Sequence, residues 1–187
     1  MGTRIKFTQL GQFEKALGAE FPRAMKLGLG RVGKNAVAIL KRRTRTCAPA
    51  SANGSIGAVA EGTFLKGWKW RRVGTDTVVV QNDAPHAVYV EEGRRPGAPP
   101  PPTSALIPWI RRKFTNLKGR DERGRYARAQ DTEAIYARLA FVIARAIGRR
   151  GLRGRHILRD AQEALRLSAQ STLNRAFAEA LSKAGRK

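Results

Sequence analysis

Between Val78 and Pro102 the chain reads VVVQNDAPHAVYVEEGRRPGAPPPP, and this stretch narrows the possible folds more than any other. Its β-branched opening favours a strand, and Asn82-Asp83-Ala84-Pro85 breaks that strand, because proline cannot donate to a ladder. A further strand is expected at His86–Glu92, closed by Gly93. A basic, proline-dense loop then runs to Pro102. Pro96 and Pro99 to Pro102 favour the extended polyproline II form, a stiff backbone that loses little entropy on docking. Strand, turn, strand and an exposed arm predict a surface for holding another protein rather than a catalytic pocket.

The flanking segments supply the rest of a domain. Trp68, Trp70 and Arg72 alternate with Lys69, Arg71 and Val73, as the two faces of a strand require. Gly74-Thr75-Asp76 is a turn signal, and Thr77–Gln81 forms the next strand. With His86–Glu92 these predict an antiparallel β-meander of three or four strands over residues 64–92. Upstream, over residues 9–47, Leu10, Phe13, Leu17 and Phe21 recur at helical spacing. Pro22 then opens a longer helix striped by Met25, Leu29, Val32, Ala36, Val37 and Leu40. Gly28, Gly30 and Gly33 each weaken a helix by about 1 kcal/mol relative to Ala, so close packing of another element is their expected use. Residues 48–63 read as a loop.

Beyond the proline-rich loop at 93–103, residues 104–182 are expected to be helical. Thr103 or Ser104 caps a short helix with Pro108 in or near its first turn. Residues 118–130 form a charged loop. Asp131 caps a helix striped by Ile135, Leu139, Val142, Ile143 and Ile147. Gly148 to His156 breaks it, and a last helix runs from Ile157 to Leu181. The fold class is α+β: a meander packed against a long N-terminal helix and C-terminal helices, in one domain spanning 1–187.

Charge constrains the partners. The 187 residues carry 37 Lys and Arg against 14 Asp and Glu, a net charge of +23. It is spread over the chain: eleven basic against two acidic side chains in 1–47, nine against five in 48–117, and seventeen against seven in 118–187. A folded body with a basic surface fits this spread, and it calls for a polyanionic or acidic neighbour. Arg149, Arg150, Arg153 and Arg155, in the run GRRGLRGR, are the expected contacts to DNA or an acidic partner. Trp68 and Trp70, among Lys66, Lys69, Arg71 and Arg72, imitate a base-stacking platform, but packing is the expected role of a Trp-rich strand.

Catalytic readings find little. Cys47 is the only cysteine, so no internal disulfide or cysteine-based zinc site can form. His86 and His156 lack ligand partners at metal spacing, and no phosphate-binding GxxxxGK[ST] loop occurs. On a strand, Glu91 and Glu92 would point to opposite faces and could not form a facing acid–base pair. No catalytic residue, metal or cofactor is expected, and no apolar run approaches the length that spans a bilayer.

Several short words, taken in order, resemble a known family. They are Ala48-Pro49, Glu61-Gly62-Thr63-Phe64-Leu65, Tyr89-Val90-Glu91-Glu92-Gly93, and His156-Ile157-Leu158-Arg159-Asp160-Ala161 following FVIARAIGRRG. Their order and spacing over residues 10 to 165 resemble the tail-completion, or head–tail joining, proteins of long-tailed bacteriophages, the group that includes lambda's minor tail protein Z. There are departures: Glu61-Gly62 replaces the usual Thr-Gly, Arg94 stands where a small hydroxyl residue often follows the glycine, and His156 replaces an aromatic. The resemblance implies a structural virion protein at the neck, made in the host cytoplasm. It would act as a ring of copies of itself, expected to be a hexamer. The implied neighbours are a tail terminator or tail tube protein, the head connector or head-closure protein, and genomic DNA held by non-specific electrostatics. The expected subunit and partner contacts are Tyr89, Glu91, Gly93, Arg94, Arg95, Pro96, Pro99 and Pro100. The alternative is a non-catalytic basic nucleic-acid-binding protein.

Overall fold

A computed structural model describes residues 1–8, 10–47, 62–114 and 129–185. The chain forms two compact units, one of Met1–Glu92 with Arg155–Lys187 and one of Gly93–Gly154. The fold class is α+β, with a small three-stranded antiparallel sheet, a long N-terminal helix and a long C-terminal helix.

In the first unit, helix α1 (Gly11–Leu17) and a 3-10 turn (Gly18–Glu20) lead into helix α2 (Phe21–Thr46). Pro22 falls in the first turn of α2, where its missing N–H has no intrahelical partner to lose. The expected stripe is the one that packs: Met25, Leu29, Val32, Ala36 and Leu40 are buried and Val37 is partly so. The opposing surface is helix α7 (Ile157–Ala184), buried along Ile157, Leu158, Ala161, Leu165, Ala169, Leu173, Ala176 and Phe177. Phe177, fully buried, stacks on Phe13 at 4.5 Å and on Phe21 at 5.7 Å, which fixes α1 and the start of α2 against α7.

The glycines of α2 do what their helix cost implies. A Cβ at Gly28 would lie 2.6 Å from Leu173 Cδ1 of α7. A Cβ at Gly33 would lie 2.3 Å from ring carbons of Trp70. The bare backbone lets a helix approach on one side and a tryptophan lie flat on the other.

The sheet is built from β1 (Gly2–Lys6), β2 (Trp68–Val73) and β3 (Thr77–Asn82), in the order β1-β3-β2. Both neighbours of β3 run antiparallel to it, with Ile5 opposite Val78 and Trp70 opposite Val80. Val78 and Val80 are fully buried. The sheet therefore differs from the expected meander in its third member. That strand comes from the N-terminus, and His86–Glu92 contributes none. Helix α3 (Thr63–Lys66) precedes β2, and Trp68 is buried where its Nε1 donates to Thr44 Oγ1 of α2 at 2.9 Å. Residues 48–61, most of the expected loop and the word beginning at Ala48-Pro49, lie outside the described residues.

The segment expected to be a third strand is instead helix α4 (Ala87–Glu92). Its buried residues are Ala87 and Glu91, four apart, as one helix face requires, while Val88 and Tyr89 are exposed. A strand would have buried alternate residues. Gly93 thus follows a helix rather than a strand, at φ +78°.

The second unit opens with β4 (Gly93–Arg94), paired antiparallel with β5 (Leu152–Arg153). Helices α5 (Thr103–Lys113) and α6 (Ala129–Arg150) close around Ile110, Tyr136 and Ala140. Neither Thr103 nor Ser104 caps α5. Pro102 holds the cap position without a side-chain bond, and Pro108 sits inside the helix beyond its first turn. Helix α6 begins at Ala129, so Asp131 falls within it rather than before it. Its buried line is Tyr136, Ala140 and Ala144, whereas Val142, expected in the core stripe, is exposed beside Phe141. Most of the expected charged loop, residues 118–128, lies outside the described residues.

Candidate functional site

The first group of expected contacts surrounds a junction. Glu91 is buried, and its Oε1 accepts from the backbone N–H of Leu158 at 2.8 Å and of Arg159 at 3.1 Å. These are among the first N–H groups of α7, which no helix can satisfy internally. His156, the N-cap residue, sits in the left-handed region at φ 46° and offers no side-chain cap. Glu91 supplies that cap from another element, placing a carboxylate at the positive end of the α7 dipole. The backbone adds Arg155 N–H to Val90 O at 2.8 Å and His156 N–H to Glu91 O at 3.1 Å. Glu91 is therefore committed inside the first unit and presents no free surface, while Tyr89 on the same helix is exposed.

The second group lies in the other unit. Gly93 abuts β5 so closely that a Cβ would fall 2.2 Å from Leu152 O. The arm after it is anchored rather than loose. Gly97 N–H donates to Gly148 O at 2.8 Å, and the Arg94 guanidinium donates to Pro99 O. A Cβ at Gly151 would fall 2.3 Å from Arg94 O, and one at Gly148 would lie 3.4 Å from Pro100. Gly148 and Gly151 thus form a low bed on which the stretch from Arg94 to Pro100 rests. Arg95, Pro96, Pro99 and Pro100 remain exposed on its outer side.

This bed brings two separately expected clusters together. Arg149 and Arg150 close the exposed C-terminal end of α6, and Arg153 is exposed on β5. The arm and these three arginines belong to one unit, and Arg94 and Arg153 lie on the two strands of its small β-ladder. Arg155 does not join them: it belongs to the first unit, where its Nη1 donates to Cys47 O at 3.4 Å and lies 3.8 Å from Cys47 Sγ. Cys47 itself is buried.

The exposed apolar pair Phe141 and Val142 on α6 is a surface that sequence reasoning missed. A stripe argument assigns every apolar residue of a helix to its core. The signal lay in Tyr136, Ala140, Ala144 and Gly148, whose spacing of four marks the packed line. Trp68 and Trp70 pack on α2 as expected, Trp68 buried and Trp70 half-buried over Gly33.

Among the described residues, no group of His, Cys, Asp and Glu is placed to hold a metal ion, and no helix is long and apolar enough to cross a membrane. No protein-family profile, curated protein or solved structure matches the chain.

Proposed function

We propose that the chain is a structural virion protein that completes a phage tail and joins it to the head. The observation that carries this reading is the junction at Glu91. Two of the words on which the resemblance rests, Tyr89-Val90-Glu91-Glu92-Gly93 and His156-Ile157-Leu158-Arg159-Asp160-Ala161, are far apart in sequence. They meet where Glu91 caps α7 through Leu158 and Arg159. One junction therefore gives both words a shared structural role.

In this reading the copies form a ring, expected to be a hexamer, between the tail tube or tail terminator and the head connector or head-closure protein. The docking surface is the arm on its glycine bed: Arg95, Pro96, Pro99 and Pro100, with Arg149, Arg150 and Arg153 alongside. Prolines keep this surface stiff, and arginines suit carboxylate-bearing partners through paired hydrogen bonds. The basic body tolerates DNA passing nearby by electrostatics alone.

The test is charge reversal at Arg95 and Arg149, both exposed and neither holding the arm in place. A phage carrying Arg95→Glu with Arg149→Glu should give separate full heads and finished tails in electron micrographs. Normal virions from that variant would overturn the docking role.

A further inference from the structure

Strand β2 is an edge of its sheet, and beside it a shallow cavity of about 370 Å³ is lined by Lys26, Gly30, Trp70, Arg71 and Arg72. Its shape follows from the sequence of α2. Lys26, Gly30 and Gly33 lie on one row of that helix, separated by four and three residues. At Gly33 the indole of Trp70 rests on backbone, and a Cβ at Gly30 would be 3.9 Å from the far ring carbon Cη2. Two missing side chains keep the helix surface low here, and Lys26 stands at the N-terminal end of the same row.

Among the described residues, the charges at this cavity are unmatched. Arg31, further along α2, pairs with Glu179 at 2.7 Å, and Lys69 on β2 pairs with Asp83 at 2.9 Å. The side chains of Lys26 and Arg72 are exposed and have no ion pair or hydrogen bond among the described residues, and Arg71, next along β2, points to the other face of the sheet. Two like charges beside one concavity repel each other, and an anion between them removes that repulsion. The Arg72 guanidinium offers forked donors suited to phosphate, and the half-buried indole offers an aromatic surface against which a sugar or base can pack.

We propose that this cavity is a phosphate-binding site for a nucleic-acid backbone. Lys26 and Arg72 contact successive phosphates, and Trp70 packs against the adjoining sugar or base. The site uses different residues from the arm and its arginines, and it stands whether or not the chain joins heads to tails.

The experiment measures binding of the full-length protein to a short labelled DNA duplex, to one of its separated strands and to polyglutamate, across a salt series. Lys26→Glu and Arg72→Glu together should weaken DNA binding at least tenfold, with the log–log salt slope falling by about 2 for two lost phosphate contacts. A control with Lys15→Glu and Arg175→Glu makes the same change in net charge at other exposed positions. It should weaken binding by less than threefold. DNA should also quench part of the tryptophan emission, and Trp70→Phe, which keeps an aromatic ring over Gly33, should abolish that part. Tighter binding of either the duplex or the separated strand identifies which backbone the site takes, and either upholds it. Equal losses in the two double variants would show a diffuse field and overturn the site. Binding of polyglutamate without DNA would also overturn it, in favour of an acidic protein.

Discussion

The carboxylate of Glu91 receives the N–H of Leu158 at 2.8 Å, so a residue of one short helix begins another that lies 67 positions further along the chain. The bond is buried and charge-assisted. Replacing Glu91 by Ala should therefore cost about 2–3 kcal/mol in urea unfolding of the isolated protein. Glu91→Gln keeps an acceptor but removes the negative charge from the helix end, and should cost about 1 kcal/mol. Unchanged midpoints for both would show that the cap contributes nothing to stability.

Gly33→Ala sets two effects against each other. Helix propensity favours Ala by about 1 kcal/mol. The added Cβ, however, would meet Trp70 ring carbons at 2.3 Å. Overpacking should win, with a net loss of about 1–3 kcal/mol. In a Trp70→Ala background the clash is gone, and the same substitution should stabilise. The change of sign is read by thermal or urea unfolding of the four proteins in the cycle.

Thr44 links two elements through one hydroxyl, accepting from Trp68 Nε1 at 2.9 Å and donating to Leu40 O at 2.7 Å. Thr44→Val leaves the buried indole N–H without its partner and should cost about 1–3 kcal/mol. Trp68→Phe removes that donor, so the double variant should be less destabilised than the two single changes added together.

Asp83 is held below the usual carboxylate range, first by its hydrogen bond from Lys69 and then by that from Gln81. Because the folded-state value is depressed, the contribution is present above the unfolded value and is lost as pH falls through the folded one. Carboxyl NMR should find Asp83 titrating low, and Lys69→Met should move it back up. The pair is exposed, so raising the salt concentration should narrow the difference.

Much of the first unit was legible because its residues obey one period at a time. The stripe from Met25 to Leu40 and the strands Trp68–Val73 and Thr77–Asn82 carry their burial in their spacing. The glycines of α2 announced close approach by their cost. His86–Glu92 misled because Val88, Tyr89 and Val90 are strand-forming types. The deciding interaction was long-range: Glu91 must face α7, and helical geometry puts it on the same side as Ala87. Strand β1 was missed because five residues beside a terminus have no identity without β3 to pair with. Their alternation, Thr3 and Ile5 against Arg4 and Lys6, was nonetheless in the sequence. At the site, the arm and the arginine run were found separately, but the glycine bed that joins them was not. Close backbone approach at Gly148 and Gly151 leaves no periodic mark.

The hydrogen bond from Arg155 to Val90 has a consequence for how such a chain can be altered. The first unit departs at Glu92 and resumes at Arg155, and the two ends are already held side by side by backbone contact. Residues 93–154 therefore occupy the position of a cassette in a hairpin. A short glycine linker in their place should leave a host that still closes on its own core. Exchange of that cassette should leave the body that carries it intact.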